Sequence, residues 1–61
     1  YRASEAAMAN VGNTYWLPGV SYQTLGYHYK RAAKRGMALH THRAVRDGVG
    51  GLYVWAEWVE G

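Results

Sequence analysis

Apolar side chains recur at helical spacing in one stretch of this 61-residue chain, between residues 22 and 35. Leu25, Tyr29, Ala32 and Ala33 stand at i, i+4, i+7 and i+8, which places them on one face of an α-helix. Most positions between them are polar or basic. The pattern therefore predicts an amphipathic helix over residues 22–35, with one apolar and one basic face.

Both ends of this helix carry boundary signals. Ser21 is an expected N-cap, because its hydroxyl oxygen accepts hydrogen bonds from the free amides of the first turn. Lys34 and Arg35 fall in the last turn, where cations complement the helix dipole. Gly36 follows as the residue that ends the helix.

A shorter helix is predicted near the N-terminus, over residues 5–11. Ser4 is its expected N-cap, and Glu5 lies in the first turn, where a carboxylate favours the positive end of the dipole. An alanine-rich run follows, and Gly12 is the expected stop.

Residues 12–20 are predicted to form a loop. Pro18 excludes a continuous helix there, because it disfavours the α conformation at Leu17. Tyr15, Trp16 and Leu17 are expected to fill the core beneath this loop.

The periodicity changes after Met37, where residues alternate between two sides. Residues 38–45 and 52–55 are predicted to pair as a β-hairpin, with Asp47-Gly48 and Gly50-Gly51 as turn signals. A helix over residues 37–45 is the competing interpretation. Residues 56–60 either extend the second strand or form a short helix.

The chain is long enough for one domain at most, predicted to span residues 1–61. A domain this small buries only about 60% of its unfolded surface, and without cysteine it has no disulfide to stabilise it. Six Tyr and three Trp supply a large area for packing. The predicted core consists of Val11, Tyr15, Trp16, Leu17, Val20, Leu25, Tyr29, Ala32, Leu52 and Val54.

Positive charge is unevenly distributed, although the net charge is only +3. Six of the seven Lys and Arg side chains lie between Lys30 and Arg46, and this stretch contains no Asp or Glu. Such a block indicates a surface for phosphate or another polyanion. A simple solvated face is the alternative.

Residues 19–31 combine a turn, a cap and a helix in one motif. Gly19-Val20-Ser21 followed by Thr24-Leu25, His28 and Lys30-Arg31 resembles the recognition-helix signature of helix-turn-helix proteins. The resemblance covers about a quarter of the chain. It implies a helix that enters the major groove of double-stranded DNA with its N-terminal residues at the base edges.

Gln23 is the residue that this resemblance assigns to base reading, because its amide can contact adenine N6 and N7 together. The basic residues that follow would contact phosphates. The DNA-binding residues expected from the resemblance are Ser21, Tyr22, Gln23, Thr24, Tyr27, His28, Lys30, Arg31, Lys34, Arg35, Arg43 and Arg46.

The hairpin after Met37 resembles the wing of winged-helix proteins, especially small phage excisionases and repressors. This second resemblance implies an α+β, winged-helix-like domain, in which two or three helices precede the hairpin. Arg43 and Arg46 would be the wing residues that contact the DNA backbone, and Gly50-Gly51 its tip or bend. The chain departs from the helix-turn-helix pattern in the long segment between residues 11 and 20.

Other site chemistries have weaker support. His40 and His42, with His28 as a third ligand, could hold a metal, but no carboxylate lies near them in sequence. Ser21 is better explained as a cap than as a nucleophile paired with His28. No phosphate-loop glycine spacing is present. We therefore expect no catalysis, cofactor, metal or small-molecule substrate.

Two other classes of function are kept as alternatives, besides a helix that packs on a partner protein. A cationic, aromatic-rich peptide can act on membranes. A filament or shell subunit would use the same helix and aromatic residues in protein packing. No apolar run approaches the roughly 18 residues that span a bilayer. We expect a cytoplasmic, nucleoid-associated protein without a membrane partner, with self-association left open.

Overall fold

The computed structural model describes residues 1–60, so Gly61 of the predicted domain lies outside the described residues. The elements, in chain order, are helix α1 (Arg2–Ala9), strand β1 (Tyr15–Pro18), a short 3-10 helix (Tyr22–Leu25), helix α2 (Gly26–Lys34), strand β2 (Met37–Arg46) and strand β3 (Val49–Trp58). The α+β class is confirmed. The predicted order of helices followed by a hairpin is wrong, because β1 lies between the two α-helices.

The three strands form one antiparallel sheet in the order β1-β3-β2. The last strand of the chain is therefore the middle strand of the sheet. Leu52 of β3 lies opposite Leu17 of β1 and opposite Arg43 of β2. Because opposite residues point to the same side of a sheet, this register decides which side chains share a face.

The predicted hairpin is confirmed and is longer than expected. Arg46 pairs with Val49, so only Asp47 and Gly48 connect the two strands. Both have positive φ, 51° and 76°, as a two-residue type I′ turn requires. Residues 56–58 extend the second strand.

Gly50 and Gly51 do not form the predicted wing tip or bend, because both lie within β3. Gly51 is paired on two sides, with Pro18 and with Ala44. A Cβ at Gly51 would lie only 2.5 Å from the carbonyl oxygen of Leu17 and 2.9 Å from the Cα of Pro18. The residue is glycine because the β1 backbone approaches closely there.

The core lies between one face of the sheet and the two α-helices. The buried hydrophobic residues are Ala7, Met8, Leu17, Leu25, Ala32, Met37, Leu39, Leu52, Val54 and Ala56. Five predicted core residues are thus confirmed as buried, and Val11, Tyr15, Val20 and Tyr29 pack against the core while partly buried. Tyr29 also joins α2 to the sheet, since its hydroxyl lies 3.0 Å from Oγ1 of Thr41.

Trp16 does not belong to this core. It lies opposite Tyr53, in the row of side chains that points away from the helices. The prediction was wrong because Trp16 lies between Tyr15 and Leu17 in a strand. Alternation therefore sends its ring to the other side of the sheet.

The segment predicted as a loop over residues 12–20 contains β1. Its four residues pair with positions 51–54 of β3. Pro18 is tolerated because it is the last residue of an edge strand, where its missing N–H removes no central ladder bond.

Helix α1 begins three residues before the predicted start. Tyr1 occupies the N-cap position, and Ser4, the predicted cap, lies inside the helix. The Ser4 side chain is fully buried and its Oγ has no hydrogen-bond partner. The helix extends toward the N-terminus because Ala3 and Ser4 turn toward the rest of the protein and are covered by it.

The predicted helix over residues 22–35 is divided into two parts. Ser21 stands at the N-cap position of the 3-10 helix, but its Oγ lies 3.3 Å from Oγ1 of Thr24 rather than bonding a backbone amide. Regular α-helix begins at Gly26. The helical stop is confirmed, since Gly36 has a φ of 77° directly after the last turn.

Candidate nucleic-acid interface

An open groove of about 600 Å³ separates the start of the 3-10 helix from the hairpin. One wall is the segment 19–23, and the other comprises residues 43–45 of β2 with Gly50 and Gly51 of β3. Ser21, Tyr22 and Gln23 therefore face Arg43 across one concave surface. The structure brings together these four residues of the predicted DNA-binding set.

The sheet holds the two walls of this groove together. Pairing of β1 with β3 ends at Pro18 and Gly51. The amide of Gly19 then donates to the carbonyl oxygen of Gly50 at 2.8 Å. The chain leaves β1 beside the hairpin, so the 3-10 helix begins next to Arg43.

A polar stripe runs along the exposed side of α2. Tyr27, Lys30 and Lys34 are exposed, and their spacing of i, i+3 and i+7 places them on one side of the helix. Tyr27 is 68% exposed. The opposite side of α2 holds Ala32 in the core. Thr24 and Arg35, at the two ends of this helical region, are also exposed.

Arg31 has a partner within the protein. Its Nη1 donates to Oε1 of Glu5 at 2.7 Å, which ties α2 to α1. Both side chains are roughly 40% exposed, so the ion pair is partly screened by solvent. The Arg31 charge is already neutralised, which weakens the expectation that it contacts phosphate.

His28 is buried, whereas the DNA contact expected of it requires an exposed side chain. It is only 8% exposed, and its Nε2 lies 3.0 Å from the amino nitrogen of Tyr1. Its Nδ1 has no hydrogen-bond partner and lies 3.9 Å from Oε1 of Glu5. Burial lowers the pKa of His28 below its ordinary value of 6.5; the charges of the amino terminus and Arg31 lower it further, and Glu5 raises it.

Arg46 lies apart from Arg43, although the two are three residues apart on one strand. Alternation places Arg43 on the helix side of the sheet and Arg46 on the opposite side. The Arg46 guanidinium carbon lies 5.6 Å from the centroid of the Trp16 ring, a cation–π contact. The structure thus divides the two predicted wing arginines between two surfaces.

The side of the sheet opposite the helices, which we call the open face, carries rings that the sequence reasoning did not group together. Trp16 packs against Tyr53 with ring centroids 5.0 Å apart. His40 stacks on Trp55 at 5.6 Å, and His42 lies opposite Tyr53. The missed signal is the i, i+2 repeat of Tyr53 and Trp55, whose neighbours Leu52 and Val54 were correctly assigned to the core.

Opposite charges stand at the two ends of the open face. Arg46 lies at the hairpin-turn end, over Trp16. Glu57 lies at the other end, where its Oε1 accepts a hydrogen bond from Nε1 of Trp55 at 3.3 Å. Its Oε2 lies 3.6 Å from Nε2 of His40. The rings thus occupy a strip between one cation and one carboxylate.

Within residues 1–60, no three His, Cys, Asp or Glu side chains cluster in a way that could hold a metal ion. In the same part of the chain, no helix is both long and apolar enough to cross a membrane.

Comparisons of this chain with protein-family models, with curated proteins and with solved structures gave no match.

Proposed function

We propose that this protein binds double-stranded DNA without catalysis, with α2 as the recognition helix and the β2–β3 hairpin as the wing of a winged-helix-like domain. In this proposal the 3-10 helix and the first turns of α2 approach the major groove. The protein would act on cytoplasmic, nucleoid DNA as a regulator or as an accessory factor in recombination.

The observation that carries the proposal is the groove shared by residues 19–23 and the hairpin. The polar residues Ser21 and Gln23 line the same groove as the Arg43 cation. Hydroxyl, amide and cationic side chains are the groups that proteins use to contact the phosphates of DNA, and this groove holds all three.

Lys30 and Lys34 extend the cationic surface along the exposed side of α2. Gly26 lies on the same helix, and a Cβ added there would meet nothing within 4 Å. Glycine is therefore not required by packing within the protein. Its small size at the helix surface favours close approach of a large ligand such as DNA.

Three residues of the expected set are left out of the proposed surface for physical reasons. His28 is buried, Arg31 is paired with Glu5, and Arg46 lies on the open face. The proposed DNA surface comprises Ser21, Tyr22, Gln23, Thr24, Tyr27, Lys30, Lys34, Arg35 and Arg43.

The first test is fluorescence anisotropy with a random duplex at several salt concentrations. We expect binding that weakens steeply with salt, because phosphate contacts release counterions. Lys30→Ala should reduce the salt slope by about one unit. Arg2→Ala is the matched control, since Arg2 is an exposed cation on α1 outside the proposed surface. Absence of binding at low salt would refute the proposal.

A second test addresses base reading by Gln23. After selection of a preferred duplex from a random pool, Gln23→Ala should cost about 1–3 kcal/mol on that site and little on random DNA. Equal losses on the two duplexes would show that Gln23 contacts the backbone rather than a base.

A further inference from the structure

We infer that the open face is the interface of a symmetric dimer formed with a second copy of this chain. The face consists of the rings of Trp16, Tyr53 and Trp55 with His40 and His42, between Arg46 and Glu57. Both α-helices pack on the other side of the sheet, so no element of residues 1–60 covers these rings.

The composition of the open face suits a protein interface. Trp16, Tyr53 and Trp55 are only partly buried, although each is large and mostly apolar. Aromatic residues and arginine are enriched where proteins meet, whereas lysine is depleted. All Lys side chains of this protein lie on α2, on the other side of the sheet.

The order of charges along the face fits a two-fold partner. Tyr53 lies midway along β3 between Val49, which pairs with Arg46, and Glu57. Consider a two-fold axis that passes near Tyr53 and lies in the interface, parallel to the sheet and perpendicular to the strands. This axis brings the two open faces together and reverses the strand direction in the second copy. Arg46 of each subunit then faces Glu57 of the other, twice per dimer, as in an isologous interface.

The same charges argue against a single-stranded nucleic acid on these rings. Sheets that bind single strands combine stacking aromatics with a surplus of cations along the backbone path. Here the single arginine at one end of the rings is balanced by one carboxylate at the other end. The cations that would attract a polyanion stand on α2 instead. A partner with its own balanced charges fits the face better.

The size of the face predicts a weak dimer. Three strands spaced by about 4.8 Å, and about eight residue intervals of about 3.4 Å, give a footprint of about 14 by about 27 Å per subunit. This is smaller than the roughly 800 Å² per partner of a standard stable interface. We therefore expect a weak and reversible dimer, of the kind formed in transient complexes.

Sedimentation velocity without nucleic acid tests the inference, over about 10 μM to about 1 mM protein. The wild-type chain should shift from monomer to dimer across this range. Arg46→Glu or Glu57→Arg alone should weaken self-association by about tenfold or more, because like charges then face each other twice. A one-to-one mixture of the two variants should restore the dimer, because each contact then joins opposite charges.

Lys34→Glu is the matched control, since it makes the same charge change as Arg46→Glu on the helix side and should leave the dimer unchanged. Circular dichroism of each variant verifies that it is folded. Formation of the mixed dimer shows the same independently, because it requires both variants to be folded. A wild-type chain that stays monomeric at the highest concentration overturns the inference. So does a single-stranded oligonucleotide that quenches Trp fluorescence of the monomer and prevents any dimer.

Discussion

The two faces of the sheet are built from the same three strands and have opposite compositions. On the helix side, Leu17, Leu52 and Val54 are aliphatic and buried. On the open face, their chain neighbours Trp16 and Tyr53 are aromatic and only partly buried. The helix side therefore stabilises this small domain by burying aliphatic side chains. The open face leaves the edges and polar atoms of its aromatic rings accessible at the surface.

The comparison also changes the meaning of the basic block between residues 30 and 46. In sequence it is continuous, but the fold divides it among three places. Lys30 and Lys34 lie on the outer side of α2, Arg43 lies in the groove, and Arg46 lies on the open face. Proximity in sequence is therefore a poor guide to which cations of a strand act together, because successive side chains point to opposite faces of the sheet.

The largest expected effect comes from the helix side of the comparison. Leu52 is 1% exposed in the middle strand, so Leu52→Ala should lower the free energy of unfolding by about 2–5 kcal/mol. Val45→Ala is the control, because Val45 is 72% exposed near the hairpin tip and should cost little. Urea unfolding measures both. Similar losses for the two variants would mean that the core does not lie where the structure has it.

Two adjacent glycines provide a smaller and more local test. Gly51→Ala should cost about 1–3 kcal/mol of unfolding free energy, because its Cβ would overlap the backbone of Leu17 and Pro18. Gly50→Ala should be nearly neutral, since a Cβ there meets nothing within 4 Å. Thermal unfolding compares the pair. A neutral Gly51→Ala would contradict the close pairing of β1 with β3.

The division of the wing arginines can be tested on DNA. Arg43→Ala should reduce the salt slope of duplex binding by about one unit, whereas Arg46→Ala should change it little. Anisotropy at low protein concentration measures both variants, each of which loses one positive charge. A larger effect of Arg46→Ala would move the DNA surface to the open face.

The smallest expected effect is a pH dependence from His28. Burial lowers its pKa, so the native state keeps the ring neutral while the unfolded chain takes up a proton below about pH 6.5. Stability should therefore be complete above that pH and decrease as the pH falls below it. His28→Gln should reduce this decrease, whereas His42→Gln, at an exposed position, should retain it. Urea titrations at about pH 7.5 and about pH 5 provide the comparison.

Local signals in the sequence predicted the elements whose contacts are local. The Asp47-Gly48 turn and the helix end at Gly36 depend on neighbours a few residues away, and both were predicted. The α+β class follows from them. On α2, Ala32 was correctly assigned to the apolar face, but Ala33 is exposed and His28 is buried.

Elements that depend on distant pairing were not predicted. β1 is a four-residue strand containing a proline, and its partners lie more than thirty residues later. Without that register, nothing local distinguishes the face of Trp16 from the face of Leu17. The same register places the segment after β1 beside Arg43 and groups the rings of the open face. Single residues of the groove were predicted from the sequence, but the assembly of either site could not be predicted without the strand pairing.

The position of β3 between β1 and β2 sets the order in which the chain can fold during synthesis. β2 needs only a two-residue turn to meet β3, but β1 must wait for residues 51–54 to be made. Until then β1, with α1 behind it, has no backbone partner. Contacts of such high sequence separation slow folding. A ribosome-bound chain lacking β3 would therefore expose two unpaired strands at once, and its aggregation would be limited chiefly by how quickly the last strand emerges.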